Sequence, residues 1–453
     1  MAKCFAISQM WVFTLIWFGQ LVSLIGSGLT GFALGIWVYQ RTGSVTQFAL
    51  ISLFTTLPGI LVSPLAGVLI DRWDRRWAMI LSDSGAALST LAIALLLLAG
   101  RLEVWQIYLA SAISSAFSAF QWPAYVAATT LLVPKQQLGR ASGMVQLAEA
   151  TAQILSPAIA GVLVSQIQVK GVILIDFATF VFSLLTLLSV RFPSPKTTAD
   201  SKAQKSSLLH EAVYGWSYIT ARPGLFSLLI FIAALNFLTG IVSVLVTPLA
   251  LAFTSVAMLG QVLTTGGCGM LVGSLVVSVW GNFKRPIYAV FSFTLLGGLA
   301  IFLAGFKPLL PVFFVTAFVY FFGLPIINSA SQVIWQKKVA PEVQGRVFAV
   351  RRAIAWAALP LAYPVAGALA DKVFEPLLAV NGPLAGSVGQ VIGVGKGYGI
   401  ALLFVVIGML TVLLMVAGYL YPRLRLVEEE LPDAIAEPFP VIVKDKDTDA
   451  PVP

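Results

Sequence analysis

The chain has 453 residues, 58% of them hydrophobic and 10% charged, with a net charge of +9 and a mean hydropathy of +0.93. A soluble domain carries about 25% charged residues, so a chain this long with so few charges must meet lipid over most of its surface. Two distant cysteines, a single histidine (His210) and no glycine-rich phosphate loop argue against a disulfide framework, a metal or haem centre and self-powered ATP hydrolysis, so no cofactor is expected.

A helical crossing takes roughly 20 apolar residues. Twelve spans are predicted, at 11–38, 45–70, 77–99, 104–132, 142–165, 169–190, 224–251, 256–281, 287–306, 310–335, 347–370 and 397–421. The start, MAKCFAISQMW, runs straight into the first span, and no removable leader is expected there.

Span one carries Gln20, the aromatics Phe32 and Trp37, and Gly31 with Gly35, a small-residue pair suited to close helix approach. Between spans two and three, GVLIDRWDRR puts five charges into ten residues: Gly67 lets the helix end approach a neighbour, and Asp71 is placed to meet free N–H groups at a helix N-terminus. Arg72, Arg75 and Arg76 follow; the cluster reads either as a latch between helices or as a plain positively charged anchor. Span three adds Asp83, and span four adds Gln121, Trp122 and Tyr125.

In span five Gln146, Glu149 and Gln153 lie three and four residues apart, on one helical stripe that suits the wall of a central cavity. Glu149, Asp176 in span six and Asp83 are candidate proton-coupling groups, each also readable as a structural hydrogen-bonding partner. A charge in hydrocarbon costs at least about 2.5 kcal/mol, so each must face protein or water.

Residues 191–222 form the longest polar connection, a linker after six spans. Spans seven and ten supply the cavity candidates Asn236, Asn328 and Gln332; span eleven opens with Arg351 and Arg352, either counter-charges for Asp83 or side chains that snorkel to the interface. Gly269 and Gly273 repeat the small-residue spacing in span eight. The glycine-rich stretch 371–396 is a candidate shield of the exit, and the acidic, proline-rich tail from Glu428 is expected to be loosely ordered.

Two blocks echo each other: Pro134, Gly139, Arg140, Pro157 and Gly161 against Pro341, Gly345, Arg346, Pro364 and Gly367. They open spans five and eleven, six spans apart, which is the layout of two parallel bundles about an axis along the membrane normal. Pro157, Gly161, Pro364 and Gly367 are then packing or bending positions. With both termini inside, 22 of 28 Lys and Arg residues fall on the cytoplasmic side, as the positive-inside rule requires. Spread over loops in this way, they do not form a nucleic-acid surface. The expected fold class is an all-α integral membrane protein of twelve transmembrane helices in two pseudo-symmetric six-helix bundles, residues 1–190 and 223–421, with linker 191–222 and a cytoplasmic tail 422–453.

GVLIDRWDRR resembles the motif G-x-x-x-D-R-x-G-R-R/K of the major facilitator superfamily, with Asp74 in place of the motif's second glycine. QILSPAIAGV retains Pro157 and Gly161 of the family's efflux motif while Ser156 and Val162 replace two glycines, and the opening of span one is similar to the drug-efflux branch that includes macrolide exporters and the enterobactin exporter. The resemblance implies a Gly67–Arg76 gate that meets the start of span eleven, a cavity lined by spans one, four, seven and ten, and secondary active export of a small amphiphilic compound (a macrolide-like drug, a siderophore or another secreted metabolite) by proton antiport. Such a protein sits in the inner (plasma) membrane and works as a monomer. An importer or a lipid flippase on the same fold is the alternative; a membrane enzyme would need a converging nucleophile, base or metal cluster that the sequence does not supply.

Overall fold

The computed structural model describes residues 2–70, 75–133, 137–190, 208–280, 284–340 and 343–430. Its helices are α1 (Ala2–Thr42), α2 (Val45–Ile70), α3 (Arg75–Leu98), α4 (Val104–Leu132), α5 (Leu138–Ser189), α6 (Leu208–Thr220), α7 (Pro223–Phe253), α8 (Val256–Trp280), α9 (Pro286–Phe306), α10 (Leu310–Lys338) and α11 (Gln344–Leu369). A π-helical turn (Ala370–Phe374) then leads through the short α12 (Glu375–Leu377) and α13 (Gly389–Ile392) to α14 (Tyr398–Leu420), α15 (Pro422–Arg425) and α16 (Val427–Glu430). No strand occurs among the described residues.

Every predicted span falls on one of these helices. Spans five and six share the 52-residue α5, divided into two limbs where Gln168 takes φ 57° and ψ 178°. Among the described residues, ten helical stretches are long and apolar enough to cross a membrane, the longest being Gly143–Ser189. Local chemistry sets the ends: Gln106 accepts the Glu103 N–H at 2.8 Å where α4 starts, and prolines at the first turns of α7, α9 and α10 occupy positions where a missing N–H costs nothing. Leu275, Val279, Val315, Leu361 and Leu413 point outward, more than half exposed, as a lipid-facing belt requires.

α1, α2, α3, α4 and α5 pack on one another, and so do α7, α8, α9, α10, α11 and α14. The two groups meet along α5–α8 and α2–α11. Here the sequence echo finds its physical reason. A Cβ on Gly161 would lie 3.0 Å from the Val256 carbonyl oxygen of α8, and one on Gly367 would lie 2.5 Å from the Thr46 Cα of α2. Each repeat therefore places its glycine where it must pass close to the opposite half. Gly269 and Gly273 behave as expected, with α10 backbone carbonyls against them, but Gly31 does not: a Cβ there meets nothing within 4 Å.

Part of the predicted linker is helical. α6 lies against α11, with a Cβ on Gly215 only 2.7 Å from the Arg346 carbonyl oxygen and the Arg346 guanidinium over the Tyr214 ring at 5.5 Å.

Candidate functional site

The end bearing the α2–α3, α8–α9 and α10–α11 turns is called the basic end below, and the other the distal end. At the distal end one apolar core combines both halves: Tyr39, Val45 and Ala49 pack in the same cluster as Leu245, Leu249, Ala366 and Phe404. Ile36 joins Ala250 and Leu259 in a second mixed cluster. At the basic end the cores are separate, one built from the first half around Phe13, Met79 and Leu187, the other from the second half around Leu228, Ile334 and Trp335. Among the described residues, apolar packing thus joins the halves at the distal end, while no shared apolar core joins them at the basic end.

A carboxylate fastens the distal seal. Asp371, one turn beyond α11, accepts hydrogen bonds from Ser44 Oγ (2.6 Å), Val45 N (3.0 Å) and Thr46 N (2.8 Å), so it caps the N-terminus of α2 in the opposite half. Four residues on, Glu375 accepts from Gly397 N (3.1 Å) and Ile400 N (3.2 Å) and caps α14. The stretch predicted as a shield of the exit is therefore a rigid strap whose acids hold two other helices. Sequence reasoning passed over Asp371, although an acid just past the last apolar turn of span eleven was a readable signal.

The counterpart at the basic end was predicted from GVLIDRWDRR. Asp71 and Arg72 lie outside the described residues, as do the surroundings of Gly67 and the side chain of Arg75. Arg76 is tied to its own half: its guanidinium donates to Leu187 O (3.2 Å) and Leu188 O (2.9 Å) at the end of α5. The intended target, the start of α11, has open space at Gly345, where a Cβ would meet nothing within 4 Å.

Of the other candidates for the cavity wall, Gln146, Gln153 and Asn328 are exposed, and Glu149 and Gln332 half-buried. Asn236 ties α7 to α11 through the Ala355 carbonyl oxygen (2.9 Å). Arg351 donates to Gln332 (2.6 Å) and lies over Trp335 at 5.1 Å, while Arg352 lies over Trp356 at 4.9 Å, so neither is the expected counter-charge of Asp83. Phe32 and Trp37 pack in walls at the distal end, Trp37 beneath Arg41. Tyr125 is buried in the first-half core, and the Trp122 side chain lies outside the described residues.

Gln20, Gln121 and Asp83 do come together. Gln20 Nε2 donates to Asp83 Oδ2 (2.9 Å) and to Ser183 Oγ (3.1 Å), and Gln121 Nε2 donates to Gln20 Oε1 (2.8 Å). Asp176 is 4% exposed and sits beside Gly26 of α1. Among the described residues no group of three or more His, Cys, Asp or Glu is placed to hold a metal ion.

The first residues of the predicted tail, up to Glu430, form a clamp, and residues 431–453 lie outside the described residues. Glu428 accepts from Ile287 N (3.1 Å), Lys338 Nζ donates to the Glu428 carbonyl oxygen (2.6 Å), and Glu429 pairs with Arg285 (3.3 Å). Burial holds the Glu428 carboxyl above the ordinary carboxylate range despite Ile287 and the nearby lysines. Folding thus favours its protonated form, and this contribution, complete below the ordinary range, falls as pH rises through the raised value. Glu428→Ala removes the acceptor and is expected to cost about 1 kcal/mol of docking, read as faster amide exchange at Ile287.

Two bundles of apolar helices joined along two seams are the architecture of a membrane transporter built from parallel repeats. The chain belongs to the Major Facilitator Superfamily, whose family profile matches residues 16–364. It is 28% identical over 373 residues to macrolide efflux protein A of Streptococcus pyogenes, covering 80% of this chain and 90% of that protein. It is 26% identical over 385 residues to multidrug efflux pump Tap of Mycolicibacterium fortuitum, covering 82% and 92%. Its fold matches the nucleoside transporter NupG with a TM-score of 0.69 at 12% identity, over 90% of this chain and 99% of that one.

Proposed function

We propose that the chain is a secondary active exporter of a small amphiphilic compound. The basic end faces the cytoplasm, as the distribution of Lys and Arg favours, with both termini inside and the protein working as a monomer in the cell membrane. A macrolide-like drug, or a siderophore or other secreted metabolite, enters there, the halves rock about the α5–α8 and α2–α11 seams, and release follows distally in exchange for a proton. Glu149, half-buried with the exposed Gln146 and Gln153 on the same stripe, is the carboxylate that meets a cationic amphiphile. The GVLIDRWDRR turn closes the basic end in the alternate state.

The observation that carries this reading is the distal seal combined with separate cores at the basic end, a geometry for loading from the cytoplasm. The names of the two efflux relatives support the direction. The test is uptake of labelled erythromycin into everted vesicles. Acidifying the lumen should drive accumulation at least fivefold above vesicles lacking the protein, a protonophore should abolish it, and Glu149→Gln should reduce it tenfold or more. No accumulation of any amphiphile tried, or accumulation only in right-side-out vesicles, would replace export with import.

A further inference from the structure

The crossing helices of the second half carry cations and no anions. α7, α8, α9, α10, α11 and α14 contain no Asp or Glu, while Arg351 and Arg352 stand on α11. Arg351 lies about two turns, roughly 10 Å, beyond Gln344, where α11 starts. Two acids of the first half are committed elsewhere: Asp83 and Asp176 line a chamber of 390 Å³ inside that half, whose wall also carries Ser111, Ser114, Ser115 and Ser118 of α4. Among the described residues no ion pair involves Arg351.

Neutral groups hold this guanidinium in place without cancelling its charge. Nη1 donates to Gln332 Oε1 (2.6 Å), Nη2 reaches Ser331 Oγ at 3.4 Å, and the cation lies over the Trp335 ring, 5.1 Å from its centroid. The remaining N–H groups of the fork have no acceptor among the described residues. Trp335 Nε1, on the ring beneath, is likewise a buried donor without a partner. Donors therefore outnumber acceptors at this point. Asn328, one turn before Gln332 on the same face of α10, is exposed. Hydrocarbon cannot receive a face made of Asn328, Gln332 and a half-buried guanidinium, so that face borders water. A positive charge at this depth calls for an anion that its own half does not supply.

We propose that Arg351 is the receptor for an anionic group, a carboxylate or a phosphate, on the transported amphiphile. Either group offers two oxygens to the parallel N–H donors of the planar fork, which Gln332 and Ser331 hold in orientation. The inference deepens the export reading and rests on it for the cargo being transported; the binding itself does not depend on it. With Glu149 on the first half and Arg351 on the second, the halves present charges of opposite sign. Cargo with an acidic group is thus preferred to cargo of the same size without one, and a zwitterion has a partner on each half.

The test uses the purified full chain in phosphatidylcholine nanodiscs at neutral pH, with binding to empty discs subtracted. The probes are radiolabelled octanoate and octyl phosphate, and the uncharged competitor is octanol. The wild type should bind at least one of the two anions saturably, and octanol should not displace it. Arg351→Gln should weaken that binding roughly tenfold or more, and Arg351→Lys less, because an ammonium keeps the charge without the fork. Gln332→Glu puts a carboxylate where Nη1 already donates, so it supplies the missing counter-charge from within. It should weaken anion binding as strongly while the thermal unfolding transition stays in place or rises. Loss of binding in an unfolded Arg351→Gln variant is thereby separated from loss of the site. The proposal is overturned if neither anion binds the wild type, if octanol competes as well as octanoate, or if folded Arg351→Gln or Gln332→Glu protein binds like the wild type. Failure of the export reading appears separately, as intact anion binding in a protein that moves no drug.

Discussion

Replacing Asp371 with alanine should unseal the distal end. The carboxylate accepts three hydrogen bonds from the first turn of α2, two of them from backbone N–H groups that have no partner within their own helix. A charge at a helix N-terminus with bonds of this kind is worth about 2–3 kcal/mol, or roughly 30- to 150-fold in the ratio of sealed to open molecules. A maleimide-reactive cysteine placed at Thr46 should therefore label much faster in Asp371→Ala than in the parent. Asp371→Asn, which keeps one acceptor oxygen, should fall between them. Equal labelling rates in all three proteins would show that the mixed apolar core alone holds the seal.

The seam between α5 and α8 should also tolerate little change. A Cβ on Gly260 would lie 2.5 Å from the Pro157 carbonyl oxygen, and backbone cannot move aside as a side chain does. Gly260→Val must push the helices apart, at a cost of about 1–3 kcal/mol for overpacking. Because the two halves rock against each other here, erythromycin transport should drop tenfold or more, with Gly260→Ala less affected. Wild-type transport by Gly260→Val would mean that the halves do not approach this closely during the cycle.

The fold was legible because a membrane leaves the backbone few options: long apolar runs must be helices, and the echo between the fifth and eleventh spans located the seams. Pro157 and Gly161, and Gly367, sit at the contacts between halves for the reason the echo suggested. The site was legible in part. Gln20, Gln121 and Asp83 were singled out as polar residues within spans and do converge, but they were assigned to different roles because one-dimensional spacing does not say which helices are neighbours. The chamber wall was missed although its signal was present: Ser111, Ser114, Ser115 and Ser118 follow the three-and-four spacing of one helix face. Arg351 and Arg352 were read either as counter-charges by sign or as side chains that snorkel, and each stacks on an indole of its own half, which leaves the counter-charge reading without support. Gly31 was read as a packing glycine by spacing alone, and the structure puts open space beside it.

Everything mechanistic here depends on the two bundles exchanging which end of a single pathway is shut. Spin labels at Leu147 and Leu275, exposed on α5 and α8 toward the basic end, report one gap; labels at Arg41 and Ser387 report the other. With Cys4 and Cys268 replaced by serine, double electron–electron resonance on the protein in nanodiscs should show the first distance shorten and the second lengthen together when macrolide and a low distal pH are supplied. Distances that stay fixed, or that grow at both ends at once, would contradict the account.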